Sequence, residues 1–331
     1  MEAMRQVEGG EESAKGCIPQ MRASGQFVVV DTQKMNEPVV VNGKNTLILT
    51  DDCTALYSYI VMPRCGLTLH DVFMELRGQM THQSIYSLGI QLVNILEKIH
   101  SLGYVFNDLK LDNLLFDFGV AMKDIMELRE GDVFGSHNVN IIDFGFASRY
   151  RHEGTEHLEK ERLDVFKGNM IFSSLNQLKF HSTSRRDDLI SLFYLLAFLL
   201  KRGKLPGIKM RPDMSVNDEF CMIRDAKLAH TTKSLCSGKT KGLVAFKREV
   251  FNYRFKDEPD YEGLRRILTE LREKEEGQES QPELSHLHYA DSCASLDSCK
   301  KEHKKLNMKI SEQASSCDTL IEETDSGLTF E

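Results

Sequence analysis

The sequence lacks paired cysteines, a long apolar run and an excess of positive charge. Its eight cysteines form no C-x-x-C pair and have no histidine at zinc-ligand spacing, which argues against a zinc site and a disulfide framework. The longest apolar run, residues 189–200, is shorter than the roughly 20 residues that a membrane-spanning helix needs. A formal net charge of −8 gives no general attraction for nucleic acid or for an anionic membrane.

An apolar segment of the secretory type is also missing from the beginning of the sequence. Residues 1–16 are charged and have no such core, so no signal peptide is expected there. Reduced thiols in a protein without a membrane span are typical of the cytoplasm and the nucleus. We therefore expect a cytoplasmic or nuclear protein with no membrane partner and no nucleic-acid partner.

The segments that are present divide into a strand-rich part and a helical part. Short β-prone runs at 27–30, 39–41 and 46–49 are separated by turn-forming residues, which predicts a small antiparallel meander. Beyond residue 62, apolar residues recur at the three- or four-residue spacing of amphipathic helices. The predicted fold class is α+β, with a strand-rich lobe before a helical lobe.

Three segments carry the helical signal. The first is amphipathic over 85–99, with Gly103 placed to end it. The second, 187–200, is apolar on nearly every side, which is typical of a helix at the centre of a helical subdomain. The third, 261–276, has one apolar side. The polar composition of 277–331 predicts a disordered tail.

Phosphoryl transfer needs a carboxylate beside the attacking hydroxyl, a cation on the moving phosphate and two oxygen ligands for Mg²⁺. The helical part supplies this set in order, as Asp108, Lys110, Asn113 and Asp143. Asp108 or Asn113 taken alone would suit a solvated turn after a helix. Asp143, which follows the apolar β-branched residues Ile141 and Ile142, makes the catalytic interpretation the better one.

The pattern D-x-K-x-x-N, followed by D-F-G at 143–145, resembles the catalytic loop and metal-binding motif of protein kinases. Further segments are similar to the casein kinase I type. Residues 61–73 correspond to its hinge and the next helix, and residues 168–176 to its substitute for A-P-E. Residues 184–191 correspond to the start of its central helix, 203–206 to the turn after that helix, and 255–265 to its final helix. The resemblance covers about residues 16–275 and implies a bilobal protein-kinase-like fold.

This resemblance implies a role for each residue of the catalytic set. Asp108 is the base or orients the substrate hydroxyl, and Lys110 neutralises the γ-phosphate. Asn113 and Asp143 hold the Mg²⁺ that accompanies ATP. The implied reaction transfers the γ-phosphate of ATP to a serine or threonine of a protein substrate, and the implied enzyme is a monomer.

Nucleotide and substrate contacts are also implied by the resemblance. Met62 is the gatekeeper, and the backbone of Cys65 lies against adenine. Asn169 replaces the threonine that contacts the base and the lysine in the family, which weakens the inference of serine/threonine specificity. Arg185 and Arg186 suit an acidic or phosphorylated substrate segment, although a solvated or ion-paired helix start would use them equally well.

A second D-F-G occurs at 117–119. It begins only four residues after Asn113, which is too close for the hairpin that must bring the second ligand back to the metal. Asp143 is therefore the predicted ligand. Residues 116–140 then form an enlarged hairpin, with a helix predicted near 122–129.

Some parts of the kinase pattern are missing. The sequence has no G-x-G-x-x-G loop and no matching strand lysine, and Gly9-Gly10 lacks the required spacing. Residues 1–61 are therefore expected to be a partial N-terminal lobe that is truncated at its front, with Glu2 as the candidate helix glutamate. Residues 62–276 form the hinge and the C-terminal lobe. Loss of preorganised phosphate contacts predicts impaired catalysis.

Phe106 and Asn107 replace the usual His-Arg before the catalytic aspartate. Phe106 can still pack in the core, but without the arginine no receiver exists for an activation-loop phosphate. Asp188 is expected to tether the backbone of the catalytic loop. Two functions stay open, a protein kinase and a pseudokinase that only docks partners. An unrelated Mg²⁺-dependent phosphotransferase is disfavoured by the many matches in the helical lobe.

Overall fold

The computed structural model describes residues 18–30, 39–41, 44–46, 54–152, 156–209, 211 and 213–276. The expectations for Glu2, for Gly9-Gly10 and for the tail at 277–331 lie outside these residues. In the described part of the chain, no helix combines the length and the apolar character needed to cross a bilayer.

Among the described residues, the strands form four antiparallel pairs. They are β1 (Ala23–Val30), β2 (Val39–Val41), β3 (Lys44–Thr46), β4 (Thr54–Val61), β5 (Tyr104–Val105), β6 (Leu114–Phe116), β7 (Val139–Ile141) and β8 (Ser148–Arg149). Strand β1 pairs with β4, and β2 pairs with β3. The predicted meander is therefore wrong in its connectivity, although the antiparallel direction is confirmed. The eight-residue register of β1 with β4 forms a longer ladder than any pairing with β2 allows.

Helices are the main regular structure of the described residues after residue 68. They are α1 (Leu69–Glu75), α2 (His82–Ser101), α3 (Met122–Glu127), α4 (Val133–Ser136), α5 (Leu175–Leu178), α6 (Arg185–Leu200), α7 (Val216–Leu228), α8 (Thr232–Leu235), α9 (Val244–Asn252) and α10 (Tyr261–Glu276). Two 3₁₀ turns cover Leu111–Asn113 and Gly238–Leu243. The three helices expected from the apolar spacing are confirmed as α2, α6 and α10, each within a few residues of its predicted bounds.

Helix α6 lies at the centre of the core. Every residue from Asp187 to Leu200 is buried, as its apolar circumference predicts. It packs against α2 and α9, while α10 covers another side of α2 with Leu264 and Leu268. Full burial of each large aliphatic side chain contributes about 1.5–3 kcal/mol, so this four-helix contact is a rigid base for the loops above it.

The hairpin between β6 and β7 is fastened to α2. The side-chain amide of Gln91 donates to the carbonyl of Phe134 at 2.6 Å, and its oxygen accepts from the backbone N–H of Val139 at 2.9 Å. Ile125 and Phe134 are buried in the same core. The helix predicted within this hairpin is confirmed as α3. Because the hairpin is anchored, the two strands that frame the candidate site are fixed relative to α2.

Candidate active site

The catalytic loop is held by a buried carboxylate at the start of α6. Asp188 accepts the backbone N–H of Phe106 at 2.7 Å and that of Asn107 at 2.8 Å. Its Oδ2 also lies 2.9 Å from Nε2 of His100, and both side chains are 1% exposed. Since an ionised carboxylate only accepts, Nε2–H donates to Asp188, and Nδ1 makes a hydrogen bond of 2.6 Å with the hydroxyl of Tyr261. The expected tether by Asp188 is confirmed.

Asp108 follows directly and is completely buried. Its Oδ2 accepts from the ammonium of Lys110 at 2.7 Å and from the side-chain amide of Asn113 at 3.0 Å. Its Oδ1 has no hydrogen-bond partner among the residues that the structure describes. A buried carboxylate oxygen without a donor is unfavourable, so this atom is the natural acceptor for a hydroxyl that enters the site.

Asn113 connects the loop to the hairpin. Its side-chain nitrogen donates to the backbone oxygen of Asp108 at 2.9 Å as well as to the carboxylate, which leaves the side-chain oxygen pointing away from Asp108. Its backbone oxygen accepts from Ile142 N–H at 3.0 Å, one residue before Asp143. Standard bond lengths then keep the Cα atoms of Asn113 and Asp143 within about 10 Å. The hairpin therefore brings Asp143 back beside the catalytic loop.

Asp143 has an exposed side chain and a backbone φ of +63°. This is the left-handed region, which aspartate tolerates better than most residues. Its Oδ1 accepts from the backbone N–H of Gly145 at 3.1 Å. The next residue, Phe144, packs edge-on against Phe106 with 5.3 Å between ring centroids. The carboxylate is thus fixed in direction and still accessible.

The side chains of the other D-F-G sequence, residues 117–119, make different contacts. Asp117 accepts from the side-chain amide of Asn140 at 2.7 Å, which ties the two sides of the hairpin together. Phe118 is 68% exposed and lies under the guanidinium of Arg64, 5.5 Å from its carbon to the ring centroid. These contacts give Asp117 a structural task and favour Asp143 as the metal-site residue.

The hinge segment runs beside β6. Gly66 N–H donates to the carbonyl of Phe116 at 2.8 Å, and a Cβ on Gly66 would lie 2.4 Å from the backbone oxygen of Asp117. Glycine is therefore required at this close approach. Cys65 is half-buried, and burial and then the Asp117 carboxylate raise the pKa of its thiol. Met62, the predicted gatekeeper, is 37% exposed.

The three predicted substrate residues make intramolecular contacts. Asn169 accepts the backbone N–H of Phe172 at 3.1 Å. The guanidinium of Arg185 lies 4.9 Å from the ring centroid of Tyr150 and donates to the carbonyl of Lys256 at 3.1 Å. Arg186 donates to the carbonyl of Tyr253 at 3.3 Å. For both arginines this geometry favours the second alternative, a structural role at the start of α6.

Sequence reasoning missed a buried lysine on α7. Lys227 is buried, and its ammonium donates to the carbonyls of Met170 and Ser173 while it lies 4.2 Å from the ring centroid of Tyr194. Burial lowers the pKa of Lys227 well below its usual value. A lysine near the polar end of an ordinary helix gives no sequence signal for such a position.

Residues 32–244 match the family described as protein kinase domain, which is more than half of the chain. The chain belongs to the protein kinase family. This kinase is also 30% identical over 210 residues to casein kinase 1-like protein HD16 of Oryza sativa subsp. japonica, and the alignment covers 63% of the kinase and 27% of that protein. The kinase thus spans about a quarter of the length of this relative. The resemblance to casein kinase I, within the serine/threonine kinase family, is confirmed.

We expect Asp188→Asn to destabilise the kinase by about 3 kcal/mol, because the variant places an amide group where a buried carboxylate accepts three donors. Urea denaturation of the two proteins measures the difference. Asp225→Asn, an exposed aspartate on α7, is the matched control and should change stability by less than about 0.5 kcal/mol. A loss below about 1 kcal/mol for Asp188→Asn would contradict the tether.

Proposed function

We propose that this kinase transfers the γ-phosphate of ATP to serine or threonine hydroxyls of a protein substrate, with Mg²⁺ as the metal. The observation that carries the proposal is the environment of Asp108. One of its carboxylate oxygens is fixed by Lys110 and Asn113, and the other is buried with no partner in the described residues.

Asp108 acts on the substrate hydroxyl. Its Oδ1 accepts the hydroxyl hydrogen and so aims an oxygen lone pair at the phosphorus, which is the positioning that phosphoryl transfer needs. The two donors on Oδ2 keep the carboxylate from rotating. The proton that leaves the hydroxyl moves to this carboxylate as the new P–O bond forms and the bond to the leaving oxygen breaks.

Lys110 supplies the positive charge. Its ammonium is 18% exposed and lies 2.7 Å from Asp108, so it is held at the edge of the site and open on the solvent side. A fixed ammonium at this place stabilises charge on a transferring phosphate without reorganising during the reaction.

The side chains of Asn113 and Asp143 suit Mg²⁺. Within the described residues, no three histidine, cysteine or acidic side chains form a metal cluster, which agrees with a metal that takes one or two protein ligands and completes its shell with phosphate and water. When bound, Mg²⁺ would supply positive charge to the phosphate oxygens. Asn113 would offer its amide oxygen, and Asp143 would offer its carboxylate.

The segment 62–66 would receive adenine. The backbone N–H and C=O of Cys65 make no hydrogen bond to another described residue, whereas the N–H of Gly66 and the carbonyl of Leu67 bond to Phe116 and fix the segment on β6. Cys65 is therefore placed to bond the adenine edge with its backbone. Met62 would border the same pocket.

The substrate side of the proposal is a protein segment, acidic or phosphorylated. The pKa of the His181 imidazole is lowered, first by burial and then by three nearby cations. These cations are Lys160, Arg162 and Lys179. These three side chains make no ion pair within the described residues, so they offer a cationic surface, whereas Arg185 and Arg186 are held by contacts within the chain. A monomer in the cytoplasm or nucleus completes the proposal, and the free thiols of Cys65, Cys221 and Cys236 fit a reducing compartment.

A pseudokinase is the second candidate. It is favoured by Phe106 and Asn107, which stand where protein kinases have His-Arg before the catalytic aspartate. A pseudokinase would keep the helical lobe as a docking surface and would show no Mg²⁺-dependent transfer.

The test is to incubate the full chain with Mg²⁺ and γ-labelled ATP, together with serine, threonine and tyrosine peptides in acidic and neutral sequence contexts. We expect slow transfer to serine and threonine, faster in the acidic context. Thermal unfolding with ATP, in the presence and absence of Mg²⁺, is measured in parallel. Metal-dependent stabilisation without transfer would favour the pseudokinase, and the absence of both would contradict nucleotide binding.

A further inference from the structure

Asn107 lies immediately before Asp108 and is 3% exposed, with a backbone φ of +70°. Asparagine is among the few non-glycine residues that adopt this conformation readily. The sequence suggested only that an arginine was missing here. In the fold, every polar group of the residue has a partner, which is unusual for a surface-loop asparagine.

The side chain of Asn107 joins three segments. Its amide nitrogen donates to the carbonyl of Phe146 at 2.8 Å and to the hydroxyl of Ser148 at 2.9 Å. Its amide oxygen accepts from the hydroxyl of Thr183 at 2.6 Å. Phe146 and Ser148 lie three and five residues after Asp143, so the amide holds the segment that carries the predicted metal ligand.

The backbone N–H and carbonyl of Asn107 are also hydrogen-bonded. Its N–H donates to Asp188, and its carbonyl accepts from the side chain of Gln177 at 3.1 Å. A Cβ on Gly168 would lie 2.3 Å from that same carbonyl oxygen, so the chain before Asn169 packs directly on it. Asn107 therefore cannot shift without moving the catalytic loop and both flanking segments.

A phosphate receiver is the competing arrangement. A cavity of about 240 Å³ borders Asn107 and is lined by Arg149 and Lys167. However, the guanidinium of Arg149 donates to the hydroxyl of Tyr104 at 3.1 Å and lies 5.5 Å from that ring, and Glu159 and Glu161 line the same cavity. Glu161 places a negative charge at the wall, which opposes a phosphate there, while Glu159 is paired with Lys256.

We propose that Asn107 is a positioning residue that holds the segment 143–148 against the catalytic loop in the unmodified chain, in place of a phosphate. The proposal rests on the proposed kinase function for its effect on rate. Its effect on order in the chain is independent of that function. Neutral hydrogen bonds thus perform the task for which an arginine and a phosphorylated loop would otherwise be needed.

Three variants of the full chain test it. Asn107→Asp keeps the shape, the tolerated φ and the acceptor for Thr183, but it turns the donor that faces Phe146 and Ser148 into an acceptor. Thr183→Val removes one hydrogen bond to Asn107. Thr183→Ser keeps that bond and is the matched control.

The first measurement is amide hydrogen exchange. In Asn107→Asp, exchange at 143–150 should become roughly 10-fold faster or more, since local opening reports the lost bonds, while α6 keeps its protection. Thr183→Val should show a smaller change, and Thr183→Ser should resemble the parent chain. Phosphatase treatment of the parent chain should change neither exchange nor activity.

The second measurement separates kcat from KM. Asn107→Asp should lower kcat by about 10²-fold, the scale of a small misplacement of reacting groups, with KM for ATP within about 3-fold. Unchanged exchange at 143–150, or faster exchange across all helices, would overturn the proposal whether or not the chain transfers phosphate. So would protection that disappears after phosphatase treatment. Local loss of protection in a chain without transfer would keep the inference and reject the kinase function.

Discussion

Asp108→Asn should lower the rate of phosphate transfer by roughly 10³-fold, within the range measured for catalytic acids and bases. The amide cannot take up a proton, and the oxygen facing the substrate hydroxyl is replaced by an NH₂ group. Steady-state transfer of label from γ-labelled ATP to a serine peptide measures the effect, and thermal unfolding shows whether the variant is folded.

The geometry predicts that this variant folds normally. Its remaining side-chain oxygen can occupy the place of Oδ2, where Lys110 and Asn113 donate, and its NH₂ group then takes the position of Oδ1, which has no partner in the described residues. Asp225→Asn, on the surface of α7, controls for the loss of one charge. If Asp108→Asn kept more than a tenth of the parent rate, Asp108 would not be the residue that engages the hydroxyl.

The second large effect concerns the two D-F-G sequences. Asp143→Asn should abolish the part of the ATP-induced thermal shift that depends on Mg²⁺, because an amide is a much weaker magnesium ligand than a carboxylate. Nucleotide at 100 times its Kd stabilises by about 2.7 kcal/mol, or roughly 5–10 °C for a domain of this size. A titration of Tm against MgCl₂ at fixed ATP measures it.

Asp117→Asn is the matched comparison, because it makes the same substitution at the aspartate of the other D-F-G sequence. It weakens the bond to Asn140 and should lower the Tm of the free protein slightly, but the Mg²⁺-dependent shift should stay complete. The opposite pattern, with the shift lost only in Asp117→Asn, would exchange the assignments of the two aspartates.

The elements of this fold that could be predicted from the sequence are those that depend on short-range residue spacing. The apolar spacing of α2, α6 and α10 reports burial over a few turns, and each of these helices was predicted. The spacing of Asp108, Lys110 and Asn113 is likewise short enough to indicate chemistry directly. The position of Asp143 beside the catalytic loop was predicted from the two apolar residues before it, which indicate the end of a buried strand.

Long-range pairing was the part that stayed hidden. Strand β1 pairs with β4 rather than with its neighbour in sequence, and no local pattern specifies that choice. The partners of Asn107 lie up to 81 residues away, so its sequence position suggested only the loss of an arginine. Arg185 and Arg186 showed the reverse, since their charges suggested a ligand while aromatic rings and carbonyls of the chain itself surround them.

The bond between Tyr261 and His100 makes the beginning of α10 part of the machinery that shapes the catalytic loop. Tyr261 orients the imidazole, the imidazole orients Asp188, and Asp188 holds the backbone just before Asp108. The smallest fragment able to present Asp108 in an ordered loop must therefore include the beginning of α10.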